Sequence, residues 1–100
     1  MVTVSVYLTL HLPGVRSLKE KRAIVRSLVS RLRGRLDVSA AEVGVQDKLQ
    51  RAEIGFAVVS GDLATARGLA DEAQRFADHE LIGRAEIINR VVDESILRQD

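Results

Sequence analysis

The hydrophobic pattern of this chain predicts an α+β protein of ferredoxin-like topology, β-α-β-β-α-β, with a four-stranded antiparallel sheet carrying both helices on one face. Three observations predict it. Apolar residues recur at period two in residues 2–12 and again in 51–60. Residues 17–34 and 62–79 instead repeat at the helical period, and a short turn segment joins the two central strand-like runs into a hairpin. One hundred residues, 46% of them hydrophobic, are enough for one domain around one core, spanning residues 1–100.

Residues 2–12 place Val2, Val4, Val6, Leu8, Leu10 and Leu12 on one face and Thr3, Ser5, Tyr7, Thr9 and His11 on the other, as in a strand with one side buried. Pro13-Gly14 ends it. Ser17-Leu18-Lys19-Glu20 then has the form of a capping box, in which hydroxyl and carboxylate each satisfy a backbone N–H at a helix start. At about 100° per residue, Leu18, Ile24, Val25, Leu28, Val29 and Leu32 gather on one arc, with Lys19, Arg22, Arg26, Ser30 and Arg33 opposite. Gly34 is expected to end this helix.

Residues 36–45 read as a second strand, in which Ala40-Ala41 interrupts the alternation as a bulge would. Residues 44–50 hold the turn, and 51–60 form a third strand with Ala52, Ile54, Phe56 and Val58 on one face. Gly61-Asp62 supplies a stop and an N-cap for a second helix to about His79. Its stripe of Leu63, Ala66, Ala70, Ala73 and Ala77, beside Leu69 and Phe76, allows close approach to the sheet. Residues 84–93, with Ile87, Ile88, Val91 and Val92, close the order before a polar tail. Helices on one face leave the other, with Thr3, Ser5, Tyr7, Thr9 and His11, open to solvent or a partner.

Charge is distributed unevenly. Residues 16–35, RSLKEKRAIVRSLVSRLRGR, hold eight basic residues against one acidic, while the remaining eighty hold seven basic against thirteen acidic. A basic face this concentrated favours a polyanion such as RNA, which the overall net charge of +1 conceals. No Glu stands four residues before Arg22, Arg26, Arg31, Arg33 or Arg35 to form an in-helix pair, whereas charges serving solubility alone are usually mixed in sign. The absence of cysteine excludes a disulfide scaffold, a thiol nucleophile and thiolate metal sites. No apolar run reaches the roughly 20 residues of a membrane span, and a strand pattern occupies the place of a signal peptide, so a cytoplasmic protein without a membrane partner is expected. Twelve arginines against three lysines, with one Asn and one Met, fit a thermophilic source or a GC-rich genome.

The phrases SLKEKR at residues 17–22 and VQDKLQRAEIG at 45–55, with the element order over roughly the first 80 residues, resemble the YlxP-like family of small bacterial proteins, a family of unassigned function. The resemblance implies a ferredoxin-like fold. Genes of that family often lie among those for transcription and translation factors, including initiation factor 2 and a ribosome-binding factor, which implies a role near the ribosome or its RNA. It carries no catalytic residues. This chain has Leu49 where many relatives have tryptophan, so a stacking role is not implied at that position.

Chemistry is sparse elsewhere. His11 and His79 share no ligand spacing, Ser27 and Ser30 have no histidine at a matched offset, and nothing fixes Glu42, Asp47 and Glu53 as a metal or acid-base cluster. Base stacking is disfavoured because Glu53, Gly55, Ala57 and Val59 face outward without a ring and Tyr7 stands alone. Pro13-Gly14-Val15-Arg16-Ser17 superficially resembles the phosphate cradle of an acylphosphatase, but that enzyme also needs an asparagine on the following strand and the one asparagine here is Asn89. The leading expectation is therefore a non-enzymatic, cofactor-free protein associated with RNA or the ribosome. Arg16, Lys19, Arg22, Arg26 and Arg33 would meet phosphates, and the 45–51 loop, through Gln46 and Arg51, would make a secondary contact. The alternative is a homodimerisation module using the open sheet face or an edge strand, and the third reading is the acylphosphatase-like hydrolase.

Overall fold

In the computed structural model, which describes residues 1–45 and 48–99, six elements follow one another as the pattern predicts. They are β1 (Val2–His11), α1 (Leu18–Arg35), β2 (Ser39–Gly44), β3 (Arg51–Ser60), α2 (Leu63–Glu80) and β4 (Glu86–Ile96). The strands form one antiparallel sheet in the order β2-β3-β1-β4, which gives the chain a ferredoxin-like fold.

Register carries the period-two pattern into the core. Val4 lies opposite Val58, Leu8 opposite Ile54 and Leu10 opposite Ala52, so the even positions of β1 and β3 make one continuous apolar face. Each wholly covered Leu or Ile contributes about 1.5–3 kcal/mol. The two helices cover that face differently. α2 buries only Ala66, Ala70, Ala73 and Ala77 and lies over β1 and β3, while α1 sets Val25, Leu28, Val29 and Leu32 toward the sheet and sits nearest β2.

Both helix starts use the predicted N-cap oxygens, although the Glu20 carboxylate accepts the N–H of Arg16 and not that of Ser17. Ser17 Oγ accepts the Glu20 N–H at 3.1 Å, and Asp62 Oδ2 accepts the Thr65 N–H at 2.9 Å. After α2 the chain turns through Gly83 at φ +77, a conformation that suits glycine.

Four local expectations are corrected. Gly34 does not end α1; the helix continues through Arg35, and the Leu36 N–H closes it on Leu32 O at 3.1 Å. The irregularity of β2 falls between Glu42 and Gly44, while Ala40 and Ala41 keep regular register with Phe56 and Gly55. The alanine pair misleads because alanine fits either face of a strand. β4 reaches Ile96, three residues into the expected polar tail, because the ladder with β1 runs to Val2 opposite Ile96. Thr9, expected on the open face, is 2% exposed, flanked in register by Glu53 and Asn89.

Candidate functional site

The eight cations of the 16–35 segment divide into two sets. Four are committed within the molecule. Lys21 is buried; Arg31 Nη1 meets Glu80 Oε2 of α2 at 2.7 Å; Arg33 Nε donates to Ala40 O of β2 at 2.7 Å; and the Arg35 guanidinium lies 5.9 Å from the centre of the Phe76 ring. The side chains of the other four, Arg16, Lys19, Arg22 and Arg26, are exposed and form no ion pair among the described residues.

Lys19, Arg22 and Arg26 share one helical face within about 10 Å of axis, because α1 rises 1.5 Å per residue. Arg16 stands one step before the Ser17 cap. The exposed cations without a partner among the described residues thus lie at the N-terminal end of the helix, while Arg33, also exposed, donates its Nε to β2. Between α1 and β2 runs an open groove of about 520 Å³ lined by Val25, Arg26, Val29 and Ser30 on one side and Ala41 and Glu42 on the other.

Lys21 is the residue that composition conceals. It is 1% exposed, and its ammonium donates to Val45 O at 2.5 Å and to Lys48 O at 2.6 Å, with Glu42 Oε2 at 3.8 Å. A buried ammonium is tolerated where it is hydrogen-bonded and its charge is balanced, and here two backbone carbonyls accept from it while the Glu42 carboxylate stands close enough to balance the charge. Its spacing to Val25, Leu28 and Leu32 is the signal that was available: Lys21 falls on the apolar arc, not the basic one. The same bonds hold Val45, a β-branched residue at φ +47, in a conformation that would otherwise relax.

The clamp determines where the β2–β3 connection sits. The Leu12 N–H donates to Gln50 O at 3.0 Å, and Gln50 Nε2 lies 3.4 Å from Pro13 O and from Val15 O, so the segment around Lys48–Gln50 is tied to the β1–α1 connection. Arg51 and Lys48, both exposed, therefore stand at the same end of the sheet as Arg16 and Lys19. Lys48 was not among the sequence candidates. Gln46 and its neighbour Asp47 lie outside the described residues. Leu49 is partly exposed on this connection.

The region that resembles a phosphate cradle is filled from within. Glu20 Oε2 accepts the Arg16 N–H at 2.8 Å, placing the chain's own carboxylate at the start of α1, where a phosphate would have to bind. Asn89 is on β4, opposite Thr9. His11 Nδ1 lies 3.9 Å from Glu86 across the β1–β4 ladder, and among the described residues no group of three or more His, Asp or Glu is arranged to hold a metal ion. No helix among them is long and apolar enough to cross a membrane.

The open sheet face is a second surface. Val43 lies over Gly55, where an added Cβ would come within 3.1 Å of it, and with Tyr7, Ala57 and Val91 it lines a shallow apolar hollow of about 390 Å³. A side chain at position 55 would therefore have to push Val43 aside by a few tenths of an ångström.

Comparison with known proteins bears on family and fold. A family model described as a protein of unknown function, DUF503, matches residues 3–91. A Bacillus subtilis (strain 168) protein described as uncharacterized protein YlxP is 46% identical over 44 residues, covering 44% of this chain and 48% of that protein, so the match spans about half the relative's length. Among solved structures, the de novo designed protein Foldit4 is similar with a TM-score of 0.56 at 13% identity, over 97% of this chain and 98% of the other. A Bacteroides fragilis protein described as dimeric, of unknown function and ferredoxin-like fold, has a TM-score of 0.53 at 12% identity, over 95% of this chain and 96% of the other.

Proposed function

The chain belongs to the DUF503 family, the YlxP-like proteins of unassigned function, and from its surface chemistry we propose that it is a non-enzymatic cytoplasmic protein that contacts the phosphates of RNA, ribosomal RNA in particular. One observation carries the reading: Lys19, Arg22 and Arg26 project from the N-terminal half of α1, and Arg16 from just before its cap, with no acidic partner among the described residues, although the molecule pairs Arg31, Arg67 and Arg90 with carboxylates. Cations left unpaired on one face attract a polyanion by releasing its counterions. Arg51 and Lys48 extend that positive end, and Lys21 holds their connection in place. Arg33 is exposed but already donates its Nε to Ala40 O of β2, so the reading is carried by the other four.

Such contacts position a protein on nucleic acid without reading sequence, so shape and charge of the RNA, not base identity, select the site. The test is sedimentation with ribosomal particles. The protein is expected to travel with them at low salt and to leave them at high salt; free protein at every salt concentration overturns the reading.

A second reading, self-association, is favoured by a separate observation. Val91 and Val92 point to opposite faces of β4, yet both are about half exposed, as are Ile88 and Ile96. This leaves an apolar edge strand uncovered. The Bacteroides fragilis protein of similar fold is described as dimeric. Light scattering that returns the monomer mass from micromolar to millimolar concentration removes this second reading and leaves the first intact.

A further inference from the structure

The sheet has two edges, and only one is protected. β2 is six residues long, is interrupted at Val43, and has the Ala40 carbonyl claimed by Arg33. β4 is eleven residues long, and after a single irregularity at Ile88 it runs in unbroken register from Asn89 to Ile96. Nothing among the described residues pairs with its outer edge. α2 reaches β4 through charges, not apolar packing: Arg67 grips Glu94 at 2.5 and 2.8 Å, and Arg90 bonds Asp78 at 2.7 Å and Gln74 at 2.9 Å. The 47% exposure of Val92, on the helix side, follows from this arrangement, while Val91, 51% exposed, faces the helix-free side beside Tyr7.

We propose that β4 pairs antiparallel with β4 of a second copy about a two-fold axis through Val92, joining two sheets into one of eight strands in which Arg90 faces the partner's Glu94. The proposal rests on the self-association reading and specifies its edge and register.

The argument for this register is charge and face. Opposed residues in an antiparallel pair share a face, so a two-fold perpendicular to the sheet must pass through a residue position, not between two. Through Arg90, Asp93 or Glu94 it would set like charges directly opposite. Through Val91 it opposes Arg90 to Val92 and Glu94 to Ile88, so neither charge meets an opposite one. Through Val92 it sets Val91 opposite Asp93, but it opposes Arg90 to Glu94 twice, by symmetry, and Asn89 to Ser95, with Ile88 opposite Ile96 at the margins. Arg90 and Glu94 are already on one face, the helix side, since their β1 partners Leu8 and Val4 are core residues. The intrachain pairs Asp78–Arg90 and Arg67–Glu94 would then join across the seam into an alternating row of charges. The uninterrupted stretch of β4 is also centred near Val92. Strand addition supplies main-chain hydrogen bonds but a contact at the small end of specific interfaces, below about 1,200 Å², so the dimer should dissociate on dilution.

The test uses charge exchange and a cross-link in the full chain. Wild type should double in mass with concentration, and Arg90→Glu or Glu94→Arg alone should weaken association by about 10- to 30-fold. An equimolar mixture of those two variants sets opposite charges across both pairs and should restore it. Because the chain has no cysteine, Val92→Cys offers an independent readout. Oxidation should join two chains through that position, while Val91→Cys and Ser39→Cys on β2 should link far more slowly. A wild-type chain monomeric at millimolar concentration overturns both this inference and the self-association reading. A dimer indifferent to both charge reversals, or cross-linking as fast at position 91 or 39 as at 92, overturns the register and edge alone.

Discussion

Lys21 and Arg22 are neighbours with opposite roles, and the difference is angular. Lys21 follows the core residues around α1, so its ammonium must find oxygen inside the protein; Arg22 points to water. Replacing Lys21 with Met keeps the volume but leaves the Val45 and Lys48 carbonyls unmatched, so stability should fall by about 2–3 kcal/mol in urea unfolding and amide exchange should quicken around Lys48. An unchanged midpoint would deny the clamp. Asp62 offers a pH-dependent counterpart. The N–H and hydroxyl of Thr65 hold its carboxyl below the ordinary carboxylate range, so the charged form is favoured in the folded state. Its contribution is full above the ordinary carboxylate pKa and is lost as pH falls through the lowered value. Asp62→Asn should therefore differ most from wild type at neutral pH and converge on it in acid, as followed by thermal melting. At this scale the sequence was legible for caps and for outward cations. It was silent on the partners of Arg31 and Arg35, because Glu80 and Phe76 arrive from α2, more than forty positions away.

Among the elements, the strongly periodic ones were legible and the margins were not. β1, β3 and the two helices follow from alternation, caps and stripes, each set by local chemistry. β2 and β4 are edge strands whose ends depend on what lies beside them: β2 shifts register against β3 between Glu42 and Gly44, and Glu94 to Ile96 become strand because β1 continues to pair with them. A Glu-Ser pair after Asp93 looks like the start of a tail until a neighbouring strand claims its backbone. α2 carries one avoidable cost, Gly68 in the helix interior, exposed and with open space where a Cβ would stand. Gly68→Ala should raise stability by about 0.5–1 kcal/mol without moving the four buried alanines. A loss of stability in denaturant titration would mean that α2 is held differently from the description above.

Across the molecule, α1 covers the β2 side of the sheet and presents Lys19, Arg22 and Arg26 outward, the helix-free face carries a shallow apolar hollow, and among the described residues nothing pairs with the outer edge of β4. These surfaces separate the candidate activities, so each is tested by substitutions that leave the others alone. Charge asymmetry along the chain correctly located the basic region, but it overstated its length, since half of those cations anchor α1 to β2, to the β2–β3 connection and to α2. The central claim concerns the half that remains. The most direct measurement is RNA affinity against salt for wild type and for a variant with Lys19, Arg22 and Arg26 changed to Glu, with folding checked by melting. Four phosphate contacts predict a log-log slope of about −3 on single-stranded RNA for wild type, flattening to no steeper than about −1 with greatly weakened binding in the variant. Equal affinity and equal slope for the two proteins would contradict the account and leave the outer face of α1 as a solvated surface.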